Sequence, residues 1–410
     1  MAILWVLMAL LMVAFVLSPM LRDRVLRSPR TGVRRRALGA AVLRPYRFRG
    51  GPTPQQVPPG HPDAADPAAY GFMPEELLDV RMPGPDEDLL AVLDVVQRTQ
   101  DYRPAARLLA GTDAEGELRW QRVQALAGAA ALELTQRPGG VHETPGGQWL
   151  RVWRAEQPKE PGGAAVHAEF LAQHAWRTSD PDTEEFRVIM DEARQACAQA
   201  ALLAPGDPVP HIVELSVARG LAVPKPEFDA LWLRIIDVAP HHMGAHLAAL
   251  HYWCEKWHGS RAEAYTFAET AAARAPQGSP LAALPLFAVF EHLPEVNLVR
   301  GFYQSEVVIR AMHGALHAVH AADQDDADGP VGADGPEDPT LAHVRHLLIF
   351  FLVAAERWAE AMSQLIHVDG HVGALPWTLS EDPAADFAFY RALAVAGYES
   401  NGGTPVPRPA

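Results

Sequence analysis

Residues 239–276 read APHHMGAHLAALHYWCEKWHGSRAEAYTFAETAAARAP, and this stretch decides the fold. An apolar helical run from His242 to Trp257 is broken by His258-Gly259-Ser260. Ser260 then stands as N-cap for a second helix, Arg261 to Arg274, because its hydroxyl satisfies an amide that the first turn leaves unpaired. Ala268 and Ala272 lie four apart on that second helix and give it a small-residue face for close packing. The unit reads as two antiparallel helices joined by a tight corner.

The unit recurs. Ala204-Pro205, Ala239-Pro240 and Ala275-Pro276 each end an apolar helical run, at spacings of 35 and 36 residues. A period near 34 with one helical hairpin per unit resembles the tetratricopeptide pattern. A lone hairpin cannot bury its apolar faces, so stacked neighbours must supply the core. A further hairpin is legible at Leu341 to Ala355, a turn near Glu356-Arg357, and Trp358 to His367. Upstream, Asp86-Glu87-Asp88 opens a run through Val96, with acids where the helix dipole favours them. Tyr102 to Leu109 and Leu118 to Leu134 follow. No stretch alternates with period two. The expectation is an all-α chain, a tetratricopeptide-like α-solenoid of antiparallel helix pairs over residues 86–400, followed by a disordered tail at 401–410.

The segment Tyr252-Trp253-Cys254-Glu255-Lys256-Trp257-His258-Gly259-Ser260, leading into Ala264-Tyr265-Thr266-Phe267-Ala268, carries a family resemblance. It is similar to a bacterial helical domain of unknown function in which a Lys-Trp-Gly-Gly-Ser turn precedes a Met-Phe-Ala-Phe-Ala-like helix. Lys256, Trp257, Gly259 and Ser260 match, and His258 replaces the first glycine. The resemblance implies a tetratricopeptide-like fold and brings no assigned activity. Gly259 and Ser260 are read as the structural turn. Lys256, Trp257 and Trp253 are the candidate partner-binding residues, against the plainer reading that they fix a helix–helix corner.

The N-terminus has a different character. Met1 to Leu17 is an unbroken apolar run, extended through Leu21. Roughly 20 such residues span a bilayer, so residues 1–21 are read as a transmembrane anchor. No basic residue precedes the run, and Arg22, Arg24 and Arg27 stand where a signal peptidase site would lie, which disfavours a cleaved signal. Ten arginines oppose one aspartate in residues 22–49. Such flanking charge keeps that side in the cytoplasm. The juxtamembrane segment Arg22–Arg49 is expected on anionic lipid, and the C-terminal domain on the cytoplasmic face of the cell (inner) membrane. Residues 50–85, rich in proline and glycine, read as a semi-extended linker.

Charge divides the chain. The formal net charge is −15, and residues 22–49 hold +9, so the rest sums to −24. An acidic body argues against nucleic acid as its partner. Two cysteines give no disulfide framework.

Histidine offers the rival reading. His241, His242, His246, His251, Cys254 and His258 fall within residues 241–258. On a continuous helix His251, Cys254 and His258 would share one face, a possible metal set if a fourth ligand joined them. His313, His317 and His320 share another face and lead into an acidic loop at 323–338. That loop lacks the ligand order of a calcium-binding hand. A buried cysteine between tryptophans and a solvated helix end are the blander explanations. The phosphate-binding loop, the dinucleotide fingerprint, the zinc-protease helix and the nucleophile elbow have no match in this sequence. The expectation is therefore a membrane-anchored scaffold or adaptor for a protein or peptide, without cofactor or catalysis. The alternative is a metal-dependent or small-molecule sensor or enzyme using residues 241–258.

Overall fold

The computed structural model describes residues 65–113, 116–136, 147–293, 300–328 and 339–405. The anchor, the basic segment, residues 50–64 of the linker, loop residues 329–338 and residues 406–410 lie outside the described residues. No helix among those described is long and apolar enough to cross a membrane.

The fold is all-α. In chain order the helices are α1 (Glu87–Thr99), α2 (Arg103–Ala110), α3 (Glu117–Gln136), α4 (Gln148–Glu156), α5 (Pro161–Thr178), α6 (Glu184–Leu203), α7 (Val209–Gly220) and α8 (Lys225–Val238). They continue with α9 (Met243–Trp253), α10 (Arg261–Arg274), α11 (Leu284–Glu291), α12 (Arg300–Tyr303), α13 (Glu306–Asp328), α14 (Pro339–Ala354), α15 (Trp358–Val368) and α16 (Pro383–Ser400). Among the described residues no strand forms, and one isolated parallel bridge joins Asp79 to His371.

Local signals set many boundaries. Asp86, Thr183, Ser260 and Asp382 each accept a backbone N–H as N-cap. α6 shows a regular inward face of Phe186, Met190, Ala193, Cys197 and Ala200, the spacing of an amphipathic surface helix.

The middle of the chain forms two layers. α3, α5, α7, α9 and α11 pack each on the next, while α6 lies against α5 and α7, α8 against α7, and α10 against α9 and α11. Buried ion pairs tie this body together across long sequence separations. Arg119 donates to Asp207 at 2.7 Å, and Arg122 donates to both Asp86 oxygens at 2.8 and 2.9 Å. The C-terminal part differs. α14 is buried on nearly every side from Thr340 to Val353 and also touches α3. Its run Leu347-Leu348-Ile349-Phe350-Phe351-Leu352-Val353 leaves no polar face, so it can only be central.

Four expectations need correction. The linker reading fails from residue 65 onward. Residues 66–84 form a strap with two short 3-10 turns, Pro67–Tyr70 and Glu75–Leu77. Tyr70, Phe72, Leu78 and Met82 are buried, because apolar side chains spaced between the prolines find a surface to cover. The helix expected to reach Trp257 ends at Trp253. The acidic loop starts later than position 323: α13 continues to Asp328, and Asp323 pairs with the buried Arg345. Residues 401–403 form a closing turn rather than free tail, with Gly402 and Gly403 amides donating to the Glu399 and Tyr398 carbonyls.

Candidate functional site

The body contains two hydrophobic clusters, one centred on α1–α8 and the other on α10–α16 with the strap. Trp253, Trp257 and Phe267 pack against both. The corner between α9 and α10 therefore sits on the seam.

Its backbone is compact. The Trp257 and Gly259 amides both donate to the Cys254 carbonyl, and the His258 amide donates to that of Tyr252. A Cβ on Gly259 would lie 2.0 Å from the Trp253 carbonyl oxygen, so only glycine fits. Ser260 Oγ accepts the Glu263 amide at 3.2 Å and donates to the Glu263 carboxylate at 2.9 Å. These roles agree with the structural turn read from sequence. His258, at the glycine position of the resembling motif, donates from Nε2 to the Arg219 carbonyl at 2.7 Å.

The side chains of the corner hold a charged layer in the seam. Arg219, 8% exposed, lies over two indoles that meet edge to face, 5.1 Å from the Trp176 ring and 4.6 Å from that of Trp257. Burial pushes its guanidinium down to about 10. Glu291, at the end of α11, pairs with Lys256 and lies 3.3 Å from His251 Nε2. Burial alone would raise the Glu291 carboxyl, but Lys256 and His251 hold it well below the usual carboxylate range. Trp253 carries Lys225 5.4 Å above its ring, and Lys225 also pairs with Glu263.

The three candidate contact residues are thus brought together, and each already serves the fold. Trp257 and Trp253 are partly buried. Lys256 is half exposed and its ammonium meets Glu291. The alternative metal set is not brought together. Helix α9 stops before Cys254, so the common face assumed for His251, Cys254 and His258 does not exist. His251 turns to Glu291, Cys254 Sγ donates to the Leu250 carbonyl at 3.3 Å, and His258 turns to Arg219. Burial raises the Cys254 thiol well above its ordinary value, which opposes both thiolate ligation and nucleophilic attack. Among the described residues no group of three or more His, Cys, Asp or Glu side chains is placed to hold a metal ion. His313, His317 and His320 line the exposed side of α13.

His242 and His246 belong to another junction. Glu117, on α3, accepts the Met243 and Gly244 amides and so caps α9 from across the fold. Trp120 lies flat against Gly244, where a Cβ would come within 2.7 Å of the ring. Burial lowers both His242 and His246 to about 4.

No family model, curated protein or solved structure matches this chain.

Arg219, Glu291, Trp176 and Glu117 were not singled out from sequence. Glu291 closes the apolar run Leu284 to Phe290, whereas the segment before Arg219, Ile212 to Ala218, already holds Glu214 and Ser216. A lone charge closing an apolar run is a signal for Glu291 alone.

Proposed function

We propose that this protein is a membrane-anchored helical-repeat scaffold that binds a protein or peptide partner at the cytoplasmic membrane face and performs no catalysis itself. The observation that carries this reading is the packing of α5, α7, α9 and α11 each on the next, with α6, α8 and α10 laid outside them. Hairpins closing on Ala204-Pro205, Ala239-Pro240 and Ala275-Pro276 supply that order, as in a tetratricopeptide-like solenoid. Such layers present long ridged surfaces suited to extended partners. The resemblance of the Lys256–Ser260 corner to the bacterial domain of unknown function supports the same architecture. Residues 1–21 would place the scaffold, Arg22–Arg49 would hold the neck on anionic lipid, and tethering would raise the local concentration of whatever is bound.

The test is a crosslinked affinity capture of the full-length protein from its native membranes, with a 50–410 chain in parallel. The expected result is one specific partner shared by both, with only the full-length chain resisting alkaline extraction from the membrane. No shared partner would sink the scaffold reading. A full-length chain released by alkali would sink the anchor.

A further inference from the structure

The strap is bound to the C-terminal part as a peptide is bound to a receptor. The Asp79 amide donates to the Gly370 carbonyl, and the Val372 amide donates back to the Asp79 carbonyl, both at 2.8 Å. The Met73 amide donates to Asp369 Oδ2 at 2.9 Å, and Tyr70 Oη donates to Glu399 Oε1 at 3.2 Å. Arg391, itself held by Asp369 at 3.2 Å, lies 5.6 Å over the Phe72 ring. Main-chain bonds for an extended segment, with pockets for spaced side chains, form a recurrent mode of peptide recognition.

Two glycines shape the seat. Gly370 has φ 97° and lies beside Met73. A Cβ on Gly373 would come within 2.5 Å of the Met82 backbone. The seat thus admits a second main chain where side chains would exclude it.

The strap divides into a root and a free arm. The Met82 carbonyl accepts the Gly373 amide, the Pro83 carbonyl accepts from the fully buried His346, and Asp86 pairs with Arg122. Outward of this root, Met73, Leu77 and Val80 are exposed apolar residues. Val80 and Arg81 are both exposed and separate arm from root. Arg391 of the seat attracts Glu75 of the arm as well as Asp369, and Asp79 of the arm is held by Arg81 and faces His371.

We propose that the groove formed by Asp369–Gly373 and α16 is a peptide-recognition site, occupied in cis by residues 66–80. Its partner is an extended protein segment with an aromatic–x–aromatic pair, as the arm has in Tyr70 and Phe72. This deepens the scaffold reading by naming its recognition site, and its test needs neither the anchor nor a lysate.

Two measurements on the full-length chain decide it. In hydrogen exchange of the wild-type protein, amides of residues 72–80 and Val372 are expected to exchange at least about tenfold faster than those of α14, reporting arm opening below global unfolding. Equal rates for the two sets would overturn the proposal. The second measurement is fluorescence anisotropy with a labelled peptide of residues 66–80. A Tyr70→Ser, Phe72→Ser, Leu78→Ser chain should bind it saturably. The wild-type chain should bind about tenfold or more weakly, because most of its seats are filled. A chain with Asp79→Cys and His371→Cys, oxidised to lock the arm, should not bind. The peptide with Tyr70→Ser and Phe72→Ser should lose that binding. Absence of saturable binding to the freed chain, or equal binding to the locked one, would overturn the proposal. So would wild-type dimerisation that abolishes peptide binding, since the seat would then serve exchange between copies.

Discussion

Trp377 donates its indole N–H to Nδ1 of His346 at 3.0 Å, and this bond fixes the tautomer of a fully buried imidazole. The remaining proton must sit on Nε2, which donates to the Pro83 carbonyl at 2.9 Å. One neutral histidine of α14 thus ties Trp377, which opens a 3-10 turn ahead of α16, to the root of the strap.

Replacing His346 with Leu keeps much of the volume and leaves the Trp377 N–H and the Pro83 carbonyl buried without partners. Each orphaned group costs about 1–3 kcal/mol, so a loss of about 2–5 kcal/mol is expected in urea unfolding. A loss under about 1 kcal/mol would show that the relay contributes nothing beyond packing.

Stability should fall as pH drops below about 6.5. Burial lowers His346 to about 3, and His242 and His246 to about 4. Above the unfolded value of 6.5 all three are neutral in both states and contribute no pH dependence. Below it the unfolded chain binds protons that the folded chain refuses, so acid favours unfolding until the folded values are reached. Each residue can contribute up to about 1.4 kcal/mol per pH unit in that window. Unfolding titrations between pH 7 and 5 check this, and a flat profile would contradict the buried neutral assignment.

Glu117→Ala should destabilise the protein by about 1–3 kcal/mol, because the start of α9 loses the carboxylate that accepts its first amides. Glu117→Gln should cost less, since one oxygen still accepts. Thermal melts of the two variants settle the order, and equal losses would point to packing alone.

Gly259→Ala should be among the most damaging single-methyl additions, since the new carbon would meet the rigid Trp253 carbonyl. Overpacking costs about 1–3 kcal/mol where neighbours can shift, and backbone cannot shift as a side-chain tip does. Denaturant midpoints for Gly259→Ala and Gly206→Ala, where no atom lies within 4 Å, provide the contrast.

Lys256 and Glu291 should couple. Lys256→Met removes the paired cation from the buried Glu291 carboxylate, leaving His251 and the Arg219 guanidinium, and should cost about 1–3 kcal/mol. Adding Glu291→Gln should recover part of that loss. A double-mutant cycle with no coupling would free Lys256 from its structural role and return it to recognition.

Much of the helical order was legible. Arg261–Arg274 and its Ser260 cap stand where the pattern put them, and the helix read from Trp358 to His367 runs one residue further, to Val368, because capping and apolar periodicity are local properties. The His251–Cys254–His258 face was misjudged for the same reason: shared helical spacing holds only while the helix continues, and the Cys254–Gly259 turn ends it. The linker reading took proline density as a sign of extension. It could not see a seat assembled from residues 369–373 and α16, about 290 positions away.

The sequence by itself determined the all-helical class, the hairpin period and the corner at Gly259-Ser260, since these follow from backbone preference and the spacing of apolar side chains. Only the tertiary structure decided that α14 is central, that Arg219 covers Trp176 and Trp257, and that the strap closes onto the C-terminal helices. Those outcomes depend on which remote surfaces exclude water together, and that is a property of the assembled chain rather than of any stretch within it.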